Sequence, residues 1–154
     1  MSYDKIGNIE QAQGNLAAAL TSFQAGMVIA QKLTAADPGN SQWQQDLSVS
    51  HIRIGDIEKA QGNLAAALTS FQVSMAIRRK LVATDPSNSQ WQLDFVISCW
   101  NVGSSNGNFL LGAERREILV RGLKILEELE KQGRLVPRAG GWPTMFRKAI
   151  TALK

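Results

Sequence analysis

The chain has 154 residues, of which 44% are hydrophobic and 19% are charged, and its formal net charge is +4. This composition predicts one globular domain and argues against a disordered or membrane protein, because the longest apolar runs are only a few residues. The first residues lack the basic and apolar regions of a secretory signal, and Cys99 is a single cysteine, so we expect a cytoplasmic protein without internal disulfides.

The most informative feature is a repeat with a period of 48 residues. The segment Gln13–Gln24 recurs letter for letter at Gln61–Gln72, and 31 of 48 positions agree between residues 1–48 and 49–96. A fixed period in this range is typical of repeat architectures. We interpret residues 1–154 as a single domain with repeats at about 1–40, 41–88 and 89–136 and a C-terminal cap at 137–154.

The first repeat begins inside its first helix, because Met1 corresponds to Val49. The counterpart of the segment from Trp43 to Leu47 is therefore missing. Either the chain is a fragment of a longer array, or a native start leaves this helix short. We favour the fragment, because terminal repeats usually carry a polar cap and this one does not.

The second repeat defines two helices, which we name the A helix and the B helix of each repeat. Clusters of helix-breaking residues at 37–41 and 85–89 separate successive repeats. After Ser41, apolar residues at helical spacing predict an A helix of about five turns. Gly62 suits a left-handed helix end and Asn63 suits an N-cap, so this pair predicts a tight turn between the two helices.

The B helix is predicted from Leu64 to about Thr84. Its apolar arc is wide, which indicates contact with two neighbouring helices. Gly55 and Ser74 are small residues at positions where the helices must approach closely. We therefore expect Gly55→Leu to be poorly tolerated.

The third repeat departs from the pattern after a regular start at Ser89. The run of glycine, serine and asparagine at 103–108 predicts an early end to its A helix. Its B helix is predicted from about Ala113 to Gly133. Residues 138–141 are expected to form a linker, and a short final helix from Trp142 to Leu153 is expected to cover the B helix.

Several residues recur at fixed offsets: an aliphatic-glycine pair in the A helix, then alanine, an aromatic and a small residue in the B helix, and a closing proline. In the second repeat these are Ile54-Gly55, Ala67, Phe71, Ser74 and Pro86. The pattern resembles the tetratricopeptide repeat (TPR), in a long 48-residue variant of bacterial type. The resemblance implies an all-α solenoid of about three helix-turn-helix repeats, a right-handed superhelix whose A helices line a concave groove.

The resemblance also implies that this groove binds a peptide or a partner helix. The groove positions, transferred by register, are Asp4, Lys5, Asn8, Gln11, Ile52, Arg53, Asp56, Lys59, Trp100, Asn101 and Ser104. Ile52 and Trp100 share one register position and would form an apolar pair that anchors a partner side chain. The alternative is that Trp100 folds down onto the irregular end of its own helix.

Catalytic chemistry is not expected. His51 is the only histidine and occupies a half-buried packing position, and no histidine stands at a related spacing from Cys99 to activate its thiol. The sequence contains no CxxC, HExxH, phosphate-loop or dinucleotide-binding pattern. We therefore expect no enzyme, no metal site and no cofactor.

The partner is expected to be a protein or peptide. Residues 78–154 carry thirteen basic and seven acidic residues, but the two signs are interleaved, so nucleic acid is not the expected partner. The leading interpretation is a scaffold for protein–protein interaction. The alternative is a structural spacer or oligomerisation segment of a larger bacterial signalling or regulatory protein, self-associating through its open N-terminal edge.

Overall fold

The fold is all-α, as the sequence predicts. The computed structural model describes residues 2–105 and 108–153, and these ranges contain helices and turns but no β-strand. The helices are α1 (Tyr3–Ala12), α2 (Leu16–Ala36), α3 (Ser41–Ala60), α4 (Leu64–Thr84), α5 (Ser89–Gly103), α6 (Gly112–Lys131) and α7 (Trp142–Ala152). Consecutive helices pack together, α1 on α2, α2 on α3, α5 on α6 and α6 on α7.

The chain divides into two compact units, residues 1–77 and 78–154, and the division falls within α4. In the first unit, Ala19 and Phe23 from α2 form one buried cluster with Ile54 and Ile57 from α3. In the second unit, the fully buried side chains include Val102 of α5, three leucines of α6 and Phe146 of α7. Each unit therefore has a hydrophobic core of its own.

The two glycines of the predicted tight turns adopt the expected left-handed conformation. Gly14 and Gly62 have φ angles of 75° and 82°, which a residue with a side chain rarely adopts. The side chain of Asn15 accepts a hydrogen bond from the amide of Ala18 and so caps α2. The bounds of α4, Leu64–Thr84, are those expected from the sequence.

Small residues allow the helices of a pair to approach closely. A Cβ atom on Gly55 would lie 2.6 Å from Cε1 of Phe71, and one on Gly7 would lie 2.6 Å from Cε1 of Phe23. Ser74 Oγ donates a hydrogen bond to the main-chain oxygen of Ser48 at 2.9 Å. The packing reason for the small residues at positions 55 and 74 is thus confirmed.

The third repeat differs from the second where the sequence departs from the repeat. Helix α5 has 15 residues and α3 has 20, so the A helix does end early. Within the expected irregular run, Asn106 and Gly107 lie outside the described residues. The segment expected to be a linker includes part of a 3-10 turn, Pro137–Ala139, and Ala139 is fully buried.

The predicted C-terminal helix is present as α7 and packs on α6. The Phe146 ring lies over Gly122 of α6, where an added Cβ would be 2.7 Å from Cε1 of Phe146. Leu153 lies just beyond the end of α7, and Ile150 is the buried aliphatic residue of its last turn. Among the described helices, none combines the length and apolar character that crossing a bilayer requires.

Candidate functional site

The groove residues predicted in the first unit all retain solvent contact. On α3, Ile52 and Arg53 are half-buried, whereas Asp56 and Lys59 are exposed. The four predicted residues of α1 are exposed; they are Asp4, Lys5, Asn8 and Gln11. Their accessibility is compatible with partner binding but does not by itself indicate a site.

The first unit contains a cleft of about 290 Å³ among α1, α2 and α3, which we call the N-terminal cleft. Its wall combines apolar and charged groups, and two of the predicted groove residues, Asp4 and Arg53, contribute to it. The lining residues are Asp4, Ile29, Ala30, Leu33, Trp43, Asp46, Val49, Ser50 and Arg53. Ile52, the predicted apolar partner of Trp100, does not line this cleft.

Arg53 joins the two A helices of the first unit. Its Nη1 atom lies 2.9 Å from Oδ1 of Asp4, which makes an ion pair between α3 and α1. The Cζ atom of Arg53 also lies 5.7 Å from the centroid of the Phe23 ring, a cation–π distance. The structure therefore brings Asp4 and Arg53 together in the wall of the cleft.

The second unit contains an apolar cleft of about 320 Å³ between α5 and α7, which we call the C-terminal cleft. Its lining residues are Val96, Ile97, Trp100, Trp142, Met145 and Phe146. Met145 is exposed and both tryptophans are half-buried, so apolar surface remains open to solvent. Such a concave apolar surface is typical of binding sites.

Trp100 is the predicted groove residue that lines the C-terminal cleft. Its ring centroid lies 5.3 Å from that of Phe146, with the ring planes tilted by 50°. Asn101, the next predicted residue, is half-buried. Ser104 is the C-cap residue of α5, and its hydroxyl donates to the main-chain oxygen of Trp100 at 2.5 Å. The indole thus packs beside α7 at the C-terminal end of α5.

Of the reactive side chains singled out in the sequence, Cys99 is withdrawn from solvent and His51 is half-buried. Cys99 is fully buried, and this burial raises the pKa of its thiol to about 12, although Arg121 acts in the opposite direction. Burial also lowers the pKa of His51. No group of three or more histidine, cysteine, aspartate or glutamate residues suited to a metal ion is found in ranges 2–105 and 108–153.

Comparison with known proteins does not assign this chain to a family. None of the protein-family models searched matches the chain, and none of the curated proteins searched matches it.

Sequence reasoning missed several residues of both clefts. Met145 was not singled out, because its role depends on how α7 packs against α5. Ala30 was not singled out either, although the counterpart one period later is the charged residue Arg78. The change from alanine to arginine between two similar repeats was the sequence signal that could have identified this position.

Proposed function

We propose that this chain is a protein-interaction module of TPR-like helical repeats that binds a partner polypeptide through an apolar side chain. The observation that carries the proposal is the open, apolar C-terminal cleft around Trp100, Trp142 and Met145. Tryptophan is enriched at binding hot spots, and methionine adapts its shape to its neighbour. An aliphatic or aromatic side chain buried there would gain roughly 1.5–3 kcal/mol.

Repeated contacts in the two matching copies support the repeat architecture. Ser22 Oγ donates to Glu10 Oε2 at 2.6 Å, and one period later Ser70 Oγ donates to Glu58 Oε2 at 2.8 Å. In the proposed solenoid, stacking of such helix pairs covers the apolar faces that no pair buries alone. The proposed partner is a peptide or an amphipathic helix, and the lone Cys99 favours a reducing setting such as the cytoplasm.

The test is selection of binding peptides from a random peptide library displayed on phage, followed by affinity measurement with the synthetic peptides. We expect selected peptides to share one large apolar residue and to change the tryptophan fluorescence of the protein. Met145→Glu, which places a charge in the C-terminal cleft, should weaken binding at least about ten-fold, or 1.4 kcal/mol.

Val73→Glu is the matched control, because Val73 is an α4 residue whose 39% exposure is close to the 37% exposure of Met145. It should leave peptide affinity unchanged. Circular dichroism should show the same helix content in both variants. Equal affinity of Met145→Glu and the unmodified protein would refute the assignment of the C-terminal cleft.

A second candidate function is self-association or stacking against another repeat through α1 and α2. The observation that favours it is a set of exposed large hydrophobic residues on these helices, namely Tyr3, Ile9, Val28, Ile29 and Leu33. Exposed apolar residues that gather into one patch mark interaction sites, and these five lie on two helices that pack against each other. A monomeric mass at high protein concentration in analytical ultracentrifugation would count against self-association.

A further inference from the structure

The lining of the N-terminal cleft differs between the two matching copies at four of its nine positions, and at one of them a small residue stands in place of a long cationic one. Ala30 in the first copy corresponds to Arg78 in the second, at an offset of 48 residues. Five lining residues are retained, and among them Asp46 and Ser50 correspond to Asp94 and Ser98. The second copy therefore shows how the retained residues hold a guanidinium group.

In the second copy the guanidinium is held within the protein. Arg78 is a buried residue, and its Nη1 atom donates to the main-chain oxygen of Asp94 at 2.7 Å and to Ser98 Oγ at 3.2 Å. Burial lowers the pKa of Arg78, while the Asp94 carboxylate acts in the opposite direction. These neighbours accept hydrogen bonds from a positively charged planar donor.

In the first copy the corresponding groups are the main-chain oxygen of Asp46 and the hydroxyl of Ser50, and Ser50 Oγ donates to that oxygen at 3.1 Å. The side-chain environment of Asp46 also matches that of Asp94. The Gln42 side-chain amide donates to Asp46 Oδ1 at 2.9 Å, and the Gln90 side-chain amide donates to Asp94 Oδ1 at the same distance. Ser50 is buried and lines the N-terminal cleft, as do Asp46 and Ala30. The side chain that fills this space in the second copy is reduced to a methyl group in the first.

Charge and shape favour a cation with an apolar stem. Arg53 is paired with Asp4, so Asp46 is the lining carboxylate that this pair leaves uncompensated within the cleft. Ile29, Leu33 and Trp43 provide apolar wall. Arginine suits this combination, because its methylene stem packs on apolar surface and its planar guanidinium stacks on aromatic rings and donates several hydrogen bonds.

We propose that the N-terminal cleft binds an arginine side chain of a partner polypeptide, in the place that Arg78 occupies one repeat later. This inference builds on the proposed function as a polypeptide-binding module, but it depends on different residues in the other compact unit. It gives the partner a second recognition element, a guanidinium, in addition to the apolar side chain proposed for the C-terminal cleft.

The test uses N-acetyl-arginine amide as the probe, titrated into the ¹⁵N-labelled full chain and followed by NMR. We expect saturable shifts of the Trp43 indole signal. The dissociation constant should be on the order of 1 mM, as for a small ligand that buries a single side chain. N-acetyl-lysine amide should bind at least about five-fold more weakly, because its ammonium group lacks the planar donor array.

The second copy itself supplies the variant and its control. Ala30→Arg introduces the residue found at position 78 and should abolish probe binding by filling the cleft. Gln31→Arg introduces the residue found at position 79, adds the same charge on the adjacent exposed residue, and should leave binding within about two-fold. Asp46→Asn removes a negative charge from the cleft wall and should weaken binding at least about five-fold. If Ala30→Arg does not fold, this second variant tests the proposal.

Three results would overturn the proposal: no saturable shift of Trp43, unchanged binding by Ala30→Arg with native helix content, or unchanged binding by Asp46→Asn. If the chain instead forms a dimer, does not bind arginine, and loses the dimer in Asp46→Asn, the cleft binds a second copy of the chain. Failure of the proposed function can be distinguished from failure of this inference, because Met145→Glu alters the C-terminal cleft and should leave arginine binding intact.

Discussion

Single residues of this protein differ in how strongly the fold opposes their ionisation. Desolvation of His51 lowers its pKa, so the folded state favours the neutral imidazole. In an unfolded chain a histidine has a pKa of about 6.5. The stabilisation associated with neutral His51 is therefore complete above pH 6.5 and is lost as the pH falls below that value.

We predict that the free energy of unfolding decreases between pH 7.5 and pH 5, and that His51→Gln reduces this decrease. Urea unfolding followed by circular dichroism at half-unit pH intervals measures both. Because His51 is the only histidine, few other groups titrate in this range. Identical pH dependence in the variant and the parent protein would contradict the prediction.

Asp56 contributes to the pH dependence of stability with the opposite sign to His51, and the two contributions must be separated. Desolvation raises the pKa of its carboxyl group, and the charge of Lys59 acts in the opposite direction. Its ionised form is thus disfavoured in the fold, and protonation at lower pH relieves this cost. The same pH series with Asp56→Asn serves as the control for this opposing contribution.

At the scale of helices, the fold depends on close contact between the A and B helix of each pair. Gly55 faces the Phe71 ring at a distance that leaves no space for a methyl group. We predict that Gly55→Ala lowers the free energy of unfolding by about 1–3 kcal/mol, because the ring must move out of a packed core. Urea denaturation of the full chain provides the measurement.

Gly26→Ala is the matched control, since Gly26 also lies inside a helix of residues 1–77. An added Cβ there would meet Tyr3 Cβ at 3.4 Å, an ordinary contact. The higher helix propensity of alanine should therefore stabilise this variant by about 0.5–1 kcal/mol. Equal effects of the two substitutions would show that propensity, and not the ring contact, decides the outcome.

The helices were largely predictable because local chemistry determines their ends. Asn40 and Asn88 accept hydrogen bonds from the amides of Trp43 and Trp91, each at 3.1 Å, as their place in the breaker clusters suggested. The C-terminal cleft was only partly predictable. Trp100 was identified by its register, whereas Met145 depends on the docking of α7, whose Phe146 ring packs over Gly122 of α6, and such long-range packing leaves no periodic signal.

The difference between Ala30 and Arg78 shows another limit of sequence reasoning. Both positions lie on B helices, whereas the TPR resemblance directs attention to A helices. An arginine in a helix usually lies at the surface, so its sequence position alone does not indicate burial. Only the contacts of Arg78 with Asp94 and Ser98 show that this position faces an acceptor site.

For the whole molecule, the distribution of charge is uneven between the compact units. Residues 1–77 carry four basic and six acidic residues, a net charge of −2, whereas residues 78–154 have a net charge of +6. Yet basic and acidic side chains pair in the second unit: Arg121 lies 3.5 Å from Glu117, and Arg147 lies 3.1 Å from Glu127. Part of the positive charge of this unit is therefore paired with acids.

We predict that the full chain does not bind duplex DNA or single-stranded RNA at 150 mM salt, because interleaved acids repel phosphate groups. Fluorescence anisotropy with labelled oligonucleotides between 20 and 200 mM salt measures this. Changing Glu127, Glu128 and Glu130 to glutamine should increase binding at 20 mM salt and steepen its salt dependence, since each phosphate contact contributes about −0.9 to the logarithmic slope for duplex DNA. Tight binding by the unmodified chain at 150 mM salt would instead make nucleic acid a partner of residues 78–154.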